Sequence, residues 1–201
     1  MVSSVSLQCF GDTGSGKTSL LIVFASGEFP IGYCPTVFDN WSTTIQLDGE
    51  PIQLVLMDWA PSEDDDIGRL PQPTNRFGGN RSDAILLFFS LVNRKSFDNI
   101  KAVWLGVVNA FAKHYGKVPI ILVGNKSDLR SSGSSPVAIS MEEAQALADE
   151  IGARYFECSA KAKEDAQSVF LGAAAEAAQA KAAMDAERRR RKRAEQRCVL
   201  C

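Results

Sequence analysis

The sequence predicts an α/β fold: a doubly wound, mostly parallel six-stranded sheet with one antiparallel edge hairpin. Three observations carry this expectation. Gly11-Asp12-Thr13-Gly14-Ser15-Gly16-Lys17-Thr18 fits the pattern of glycine, four residues, then Gly-Lys-Ser/Thr, and lies between a strand-like segment at 5–10 and the start of a helix. Residues 84–91 and 118–123 are continuous apolar runs, as in parallel strands covered on both faces, and a helical stripe separates them. Asp48-Gly49 sits between strand-like segments at 41–47 and 51–57, the composition of a tight hairpin turn. Alternating strands and helices of this kind bind ligands at the carboxyl ends of the strands.

Taken in order, the first helix runs from about Lys17 through Leu20, Leu21, Val23 and Phe24 and stops near Gly27, which suits a left-handed cap. Residues 29–36 hold two prolines and a glycine and read as a loop exposing Tyr33 and Thr36. From 59 to 83 no apolar periodicity is sustained, and the acidic run 63–66, three prolines and Gly78-Gly79 predict another loop. Phe97, Ile100, Trp104, Val107 and Phe111 recur every three or four residues and predict one helix with its stripe on the sheet. Ser140 and Glu143 have capping-box spacing ahead of a further helix. A short strand at 155–158 follows, with Cys158 expected as a small buried hydrophobe, and then an Ala-rich helix over about 164–186 that projects beyond the body.

The glycine-rich loop is a phosphate cradle by its chemistry. Its backbone N–H groups, those of Gly14, Ser15 and Gly16 included, curl inward. Lys17 reaches the β- and γ-phosphates, Thr18 ligates Mg²⁺, and Ser19 continues the cradle into the helix. An ordinary glycine turn also fits the bare pattern, so a second motif is needed. It follows the 118–123 strand, where Asn125-Lys126-Ser127-Asp128 supplies N-K-x-D. Two carboxylate oxygens of Asp128 accept from the N1–H and exocyclic amine of guanine, an edge adenine does not present. Asn125 is expected to hold the loop and Lys126 to lie along the base. Ser159-Ala160-Lys161, after the last strand, offers a backbone N–H to the guanine carbonyl. A polar turn explains either motif alone but not three motifs in order on successive strand ends. The same N-K-x-D pattern disfavours a nucleoside or adenylate kinase.

Over nearly its whole length the chain resembles a Ras-superfamily small GTPase, closest to the Rho/Rac family, through residues 29–40, 125–130 and 157–161. The resemblance implies the small-GTPase (G domain) fold, GTP/GDP with Mg²⁺ as ligands, and GTP hydrolysis to GDP and phosphate as the activity. It implies that Phe29 packs on guanine, Tyr33 covers the phosphates, Thr36 ligates Mg²⁺ and senses the γ-phosphate, and Asp58 holds Mg²⁺ through a water. Val37, Phe38 and Asp39 become the edge that faces effector proteins, with exchange factors and a prenyl-binding chaperone as further partners.

Departures from the family pattern cluster at one step. Where relatives read Asp-Thr-Ala-Gly-Gln-Glu, this chain reads Asp58-Trp59-Ala60-Pro61-Ser62-Glu63. Pro61 has no N–H for the γ-phosphate, Ser62 is too short to orient water as the family's glutamine does, and Thr13 stands where relatives keep a glycine. Hydrolysis is therefore expected to be slow or absent. The second switch segment is longer than in relatives, Pro71 and Pro73 break its usual helix, and residues 131–140 are too short and Ser-rich for the extra charged helix of Rho proteins.

With 45% hydrophobic and 23% charged residues, the 201-residue chain has the composition of one soluble domain. Five scattered cysteines argue against a disulfide framework and for a reducing compartment. No leader and no membrane-length apolar run is seen. The single histidine, His114, falls at a helix end, which excludes histidine triads and multi-histidine metal sites. Residues 181–201 carry eight Lys/Arg against three Asp/Glu, or +5, so a net charge of −2 leaves −7 on the rest. The expected division is thus a nucleotide-binding domain at 1–180 and a basic tail at 181–201.

Arg188-Arg189-Arg190-Arg191-Lys192-Arg193 ahead of Cys198-Val199-Leu200-Cys201 resembles a prenylation signal with Cys198 as acceptor. A solvated helix end and a Cys-x-x-Cys redox or metal pair are the competing readings. The expectation is a membrane-associated, Rho-like GTP/GDP switch on the cytoplasmic side of a membrane, the plasma membrane, with a cytosolic pool, anionic lipid as a partner of the tail and no nucleic acid among its partners. The rival is a pseudo-GTPase scaffold with constitutive or no nucleotide.

Overall fold

A computed structural model describes residues 4–30, 38–59, 82–131 and 138–198. Six strands, β1 (Ser4–Gly11), β2 (Phe38–Leu47), β3 (Glu50–Trp59), β4 (Ala84–Ser90), β5 (Ile120–Asn125) and β6 (Arg154–Glu157), form one sheet in the order β2-β3-β1-β4-β5-β6. Only β2 runs antiparallel, against β3; the other four pairings are parallel. The sheet is the predicted doubly wound one. Its edge hairpin turns at Asp48 and Gly49 with φ of 51° and 81°, the pair of left-handed residues that a two-residue hairpin turn matching strand twist requires. Strand ends move by a few residues from the sequence-based bounds, β2 starting at Phe38 and β5 running on to Asn125.

Period-two alternation sends side chains to two cores. Val5, Leu7 and Cys9 of β1 with Ala84, Leu86 and Phe88 of β4 pack under α1 (Lys17–Ser26) and α6 (Lys163–Cys198). Phe10, Ile85, Leu87 and Phe89 face the opposite helices, where α5 (Met141–Ile151) contributes Leu147. All seven β4 residues are buried, which explains why that run carries no polar alternation. Gly27 ends α1 at φ 77°, its N–H donating to Val23 O, and the Ser140 hydroxyl accepts from Glu143 N–H at the start of α5. The cysteines Cys9 and Cys158 are fully buried, and burial pushes both thiols well above the ordinary range.

Two helices differ from expectation. The single helix predicted across 97–111 is α2 (Arg94–Asn99), a π-helical turn over Ile100–Trp104, and α3 (Leu105–Tyr115). Its apolar stripe stays on the sheet throughout, so the spacing alone concealed the extra residue in the turn. The Ala-rich helix, expected to stop near 186, continues to Cys198 and crosses 180/181 without a break. What ends near that boundary is packing: Ala173, Ala174 and Ala177 are buried, whereas residues 182–191 are exposed. Lys181 closes the packed part, its Nζ donating to Ser4 O and to Asp83 Oδ2, both at 3.0 Å. Among the described residues, no helix is long and apolar enough to cross a membrane.

Candidate nucleotide-binding site

The glycine-rich loop leaves β1 at the sheet's switch point, where β3 lies on one side of β1 and β4 on the other. Gly16 shows why glycine is needed. Its φ is 91°, and a Cβ there would lie 2.3 Å from Asn125 Nδ2, so the close approach of the two loops depends on a bare backbone. Lys17 is buried and donates to Gly11 O at 2.6 Å and Asp12 O at 2.9 Å. Burial lowers its pKa to about 8, with Asp58, Cys9 and Asp12 pulling the other way. Such an ammonium gains when it exchanges carbonyl partners for phosphate oxygens. Thr13 and Gly14 are exposed at the loop tip, while Ser15 is buried and its N–H donates to Asp12 O.

At the carboxyl end of β3, Asp58 is fully buried and its Oδ2 accepts from Thr18 Oγ1 at 2.6 Å. A threonine hydroxyl beside a carboxylate is a hard oxygen pair, the donor chemistry that Mg²⁺ prefers. Thr36, the third expected donor, lies outside the described residues, as do Tyr33 and Val37. The backbones of Phe38 and Asp39 open β2, but their side chains are outside the described part.

The base end is built from three separate segments. Asn125, completely buried, donates through Nδ2 to Ser15 O (3.2 Å) and Gly16 O (3.1 Å). Its Oδ1 accepts from Lys126 N–H at 2.7 Å and Ala160 N–H at 3.2 Å. One amide thereby ties the phosphate loop to both base-side loops. The Asp128 carboxylate accepts from Ser159 Oγ at 2.8 Å and pairs with Lys161 Nζ at 2.9 Å. Burial pushes the Asp128 carboxyl up, but the bonds from Lys161 and Ser159 and the Lys161 charge outweigh it and hold the group below the usual carboxylate range. A carboxylate with about four lone-pair sites retains acceptor capacity for a ligand donor after two such bonds. Phe29, Ser19, Gly16, Asp128 and Leu129 line a cleft of about 160 Å³ here, and Phe29 is 47% exposed.

The family model for the Ras family matches residues 7–179. The chain is 41% identical over 174 residues to a protein described as GTP-binding protein rho5 of Schizosaccharomyces pombe, covering 82% of each chain. This chain is a Rho-like small GTPase of the Ras family. It is also 40% identical over 185 residues to the human Rho-related GTP-binding protein RhoD, covering 86% of this chain and 82% of the relative. Ras-family GTPases bind GTP and GDP, generally with Mg²⁺, and the donor pair Thr18 and Asp58 fits that cation.

Within this Rho-like GTPase, the base end has two details that the motif alone does not give. Lys126 does not extend freely: its backbone is left-handed at φ 69°, its Nζ donates to Gly14 O, and burial lowers its pKa against the pull of Asp128. The N–H groups of 159–161 are all engaged within the chain, Ser159 with Asp165, Ala160 with Asn125 and Lys161 with the Ser159 hydroxyl. Offering one to a guanine carbonyl therefore means sharing or exchanging an existing bond. Sequence reasoning also missed Arg130 and Glu157, a two-pronged ion pair that fastens the short helix α4 (Ser127–Ser131), which carries Asp128, to β6. Tyr155 Oη donates to the same Glu157 carboxylate at 3.1 Å, and burial raises the phenol pKa further. Arg130 and Glu157 lie 27 residues apart, and neither belongs to a pattern that links them.

Of the three positions where the sequence departs from the family pattern, Pro61 and Ser62 lie outside the described residues and Thr13 lies within them. Cys198 ends α6 in backbone, with its side chain outside the described part.

Proposed function

We propose that this GTPase binds GTP and GDP with Mg²⁺ but turns GTP over slowly or not at all, and works as a membrane-associated signalling switch. The observation that carries the reading is a contrast. Asn125 and Asp128 are locked into a base-reading corner, while the positions that serve hydrolysis hold Thr13, Pro61 and Ser62. On binding, Lys17 leaves the carbonyls of Gly11 and Asp12 for the β- and γ-phosphates, and Asp128 accepts from the guanine edge. Thr18 directly and Asp58 through a water would hold Mg²⁺, which would supply neutralisation of phosphate charge. Turnover then requires an oriented water and an N–H on the γ-phosphate. Pro61 has no N–H to give, and it biases Ala60 towards extended conformations.

The nucleotide carried by freshly purified protein tests binding. Exchangeable GDP or GTP supports a switch, and an empty site supports an interaction scaffold instead. Effectors are assigned to the edge formed by Val37, Phe38 and Asp39, with exchange factors acting on the bound nucleotide.

The membrane part of the proposal rests on α6. Arg188, Arg189, Arg190 and Arg191 are consecutive and exposed, and each contributes about 1 kcal/mol near anionic lipid. Cys198 is the assigned lipid acceptor, because a single chain plus a basic cluster anchors where one chain alone does not. A prenyl-binding chaperone would account for a cytosolic pool. Cys198→Ser should move the protein from the membrane to the soluble fraction, and unchanged fractionation with no lipid in the intact mass would reject the assignment.

A further inference from the structure

Asp12 is an awkward residue for its place. It stands one position into a loop that cradles phosphate, where a second negative charge opposes the ligand. The structure turns that carboxylate aside. Its Oδ1 accepts from Trp104 Nε1–H at 2.8 Å and its Oδ2 from Asn99 Nδ2–H at 2.6 Å. The backbone carbonyl of the same residue accepts from Lys17 Nζ and Ser15 N–H. Asp12 therefore connects the helical layer to the lysine that meets the phosphates.

The two donors bracket the π turn: Asn99 is the residue just before it and Trp104 its last. At 3.6 residues per turn, residues five apart on a helix point about 140° away from each other and do not grip one carboxylate from the same face. Asn99 and Trp104 are five apart. Between them the helix widens into the π turn, marked by the bond from Leu105 N–H back to Ile100 O, and widening moves residues five apart towards alignment. The indole is held ready: Trp104 is fully buried and stacked on Phe10, 6.1 Å between ring centres and 20° between planes, in the strand that feeds the loop. On the outer face, Arg94 with Glu143 and Lys101 with Glu150 connect the same helical stretch to α5.

We propose that Asn99 and Trp104 are positioning residues for the phosphate loop, acting through Asp12 to set affinity for the β-phosphate of a guanine nucleotide. The inference rests on the nucleotide-binding reading above. It also gives the π turn a purpose, since a regular helix over 94–115 would present only one of the two donors.

The test compares GDP with GMP, which shares the base and α-phosphate but has nothing to place in the β-phosphate cradle. Full-length protein, Asn99→Ala and Trp104→Phe are titrated with each nucleotide at constant Mg²⁺, with melting of the nucleotide-free protein followed in parallel. Losing one hydrogen bond to the Asp12 carboxylate should weaken GDP binding roughly 10-fold and leave GMP within about twofold. Trp104→Phe keeps the stack on Phe10 but lacks the N–H, and if it does not fold, the half-buried Asn99→Ala decides the matter alone. An unchanged GDP-to-GMP ratio, or equal loss of both nucleotides, overturns the proposal. If the unaltered protein binds neither nucleotide, the nucleotide-binding reading fails first and the inference falls with it.

Discussion

The two ends of the nucleotide site are built in opposite ways. At the base end, residues 15–16, 125–128 and 158–161 meet through Asn125 and Asp128, whose side chains have partners within the chain. At the γ-phosphate end, Thr13 is an exposed residue at a loop tip, and its sequence companions are a proline and a short hydroxyl. Groups that bind ground state and transition state equally set affinity, and only groups that act in the transition state set rate. The two ends depend on different side chains. Turnover can therefore be lost while guanine binding is kept.

The largest effect should come from restoring the weak end. Thr13→Gly/Pro61→Gly/Ser62→Gln returns a γ-phosphate donor and a water-orienting amide. Because one preorganised donor is worth about 10²- to 10³-fold, single-turnover GTP hydrolysis should rise at least about 10²-fold. No gain would mean that another group positions the water. Next in size is damage to the strong end. Asp128→Asn places an amide N–H against guanine donors and should weaken GDP binding by about 2 kcal/mol, read by calorimetric titration, without changing the hydrolysis rate of what remains bound. ATP competing as well as GTP against the unaltered protein would contradict the base assignment.

A smaller effect sharpens the comparison within the binding half. Arg130→Ala frees α4 from Glu157 and should weaken GDP and GMP alike by about 1 kcal/mol, because it loosens the base corner and not the phosphate cradle. A selective loss of GDP would show that the two ends are not separable.

Much of this architecture was legible in the residues, for identifiable reasons. β4 and β5 announce themselves because strands covered on both faces need unbroken apolar runs, and Asp48-Gly49 because that turn needs two left-handed residues. The π turn was hidden, since Phe97, Ile100, Trp104, Val107 and Phe111 keep helical spacing while the backbone takes up an extra residue between them. The end of α6 was misplaced for another reason. Beyond Lys181 no apolar stripe marks the helix, and Arg, Glu, Ala and Lys carry it by intrinsic propensity. At the site, backbone cradles and base-reading side chains follow short motifs. Lys161 on Asp128, Arg130 on Glu157, and Asn99 with Trp104 on Asp12 join residues 27 to 92 positions apart, and a single charge or amide has no period to betray its partner.

The separation of binding from turnover is tested most directly on one preparation of the unaltered chain. Protein loaded with GTP at fixed Mg²⁺ is followed through a single turnover, and its affinities for GDP and ADP are measured in parallel. Strong preference for GDP is expected together with hydrolysis well below the roughly 10⁻⁴ s⁻¹ of an ordinary intrinsic small GTPase such as Ras. Guanine preference accompanied by hydrolysis at that ordinary rate would contradict the separation.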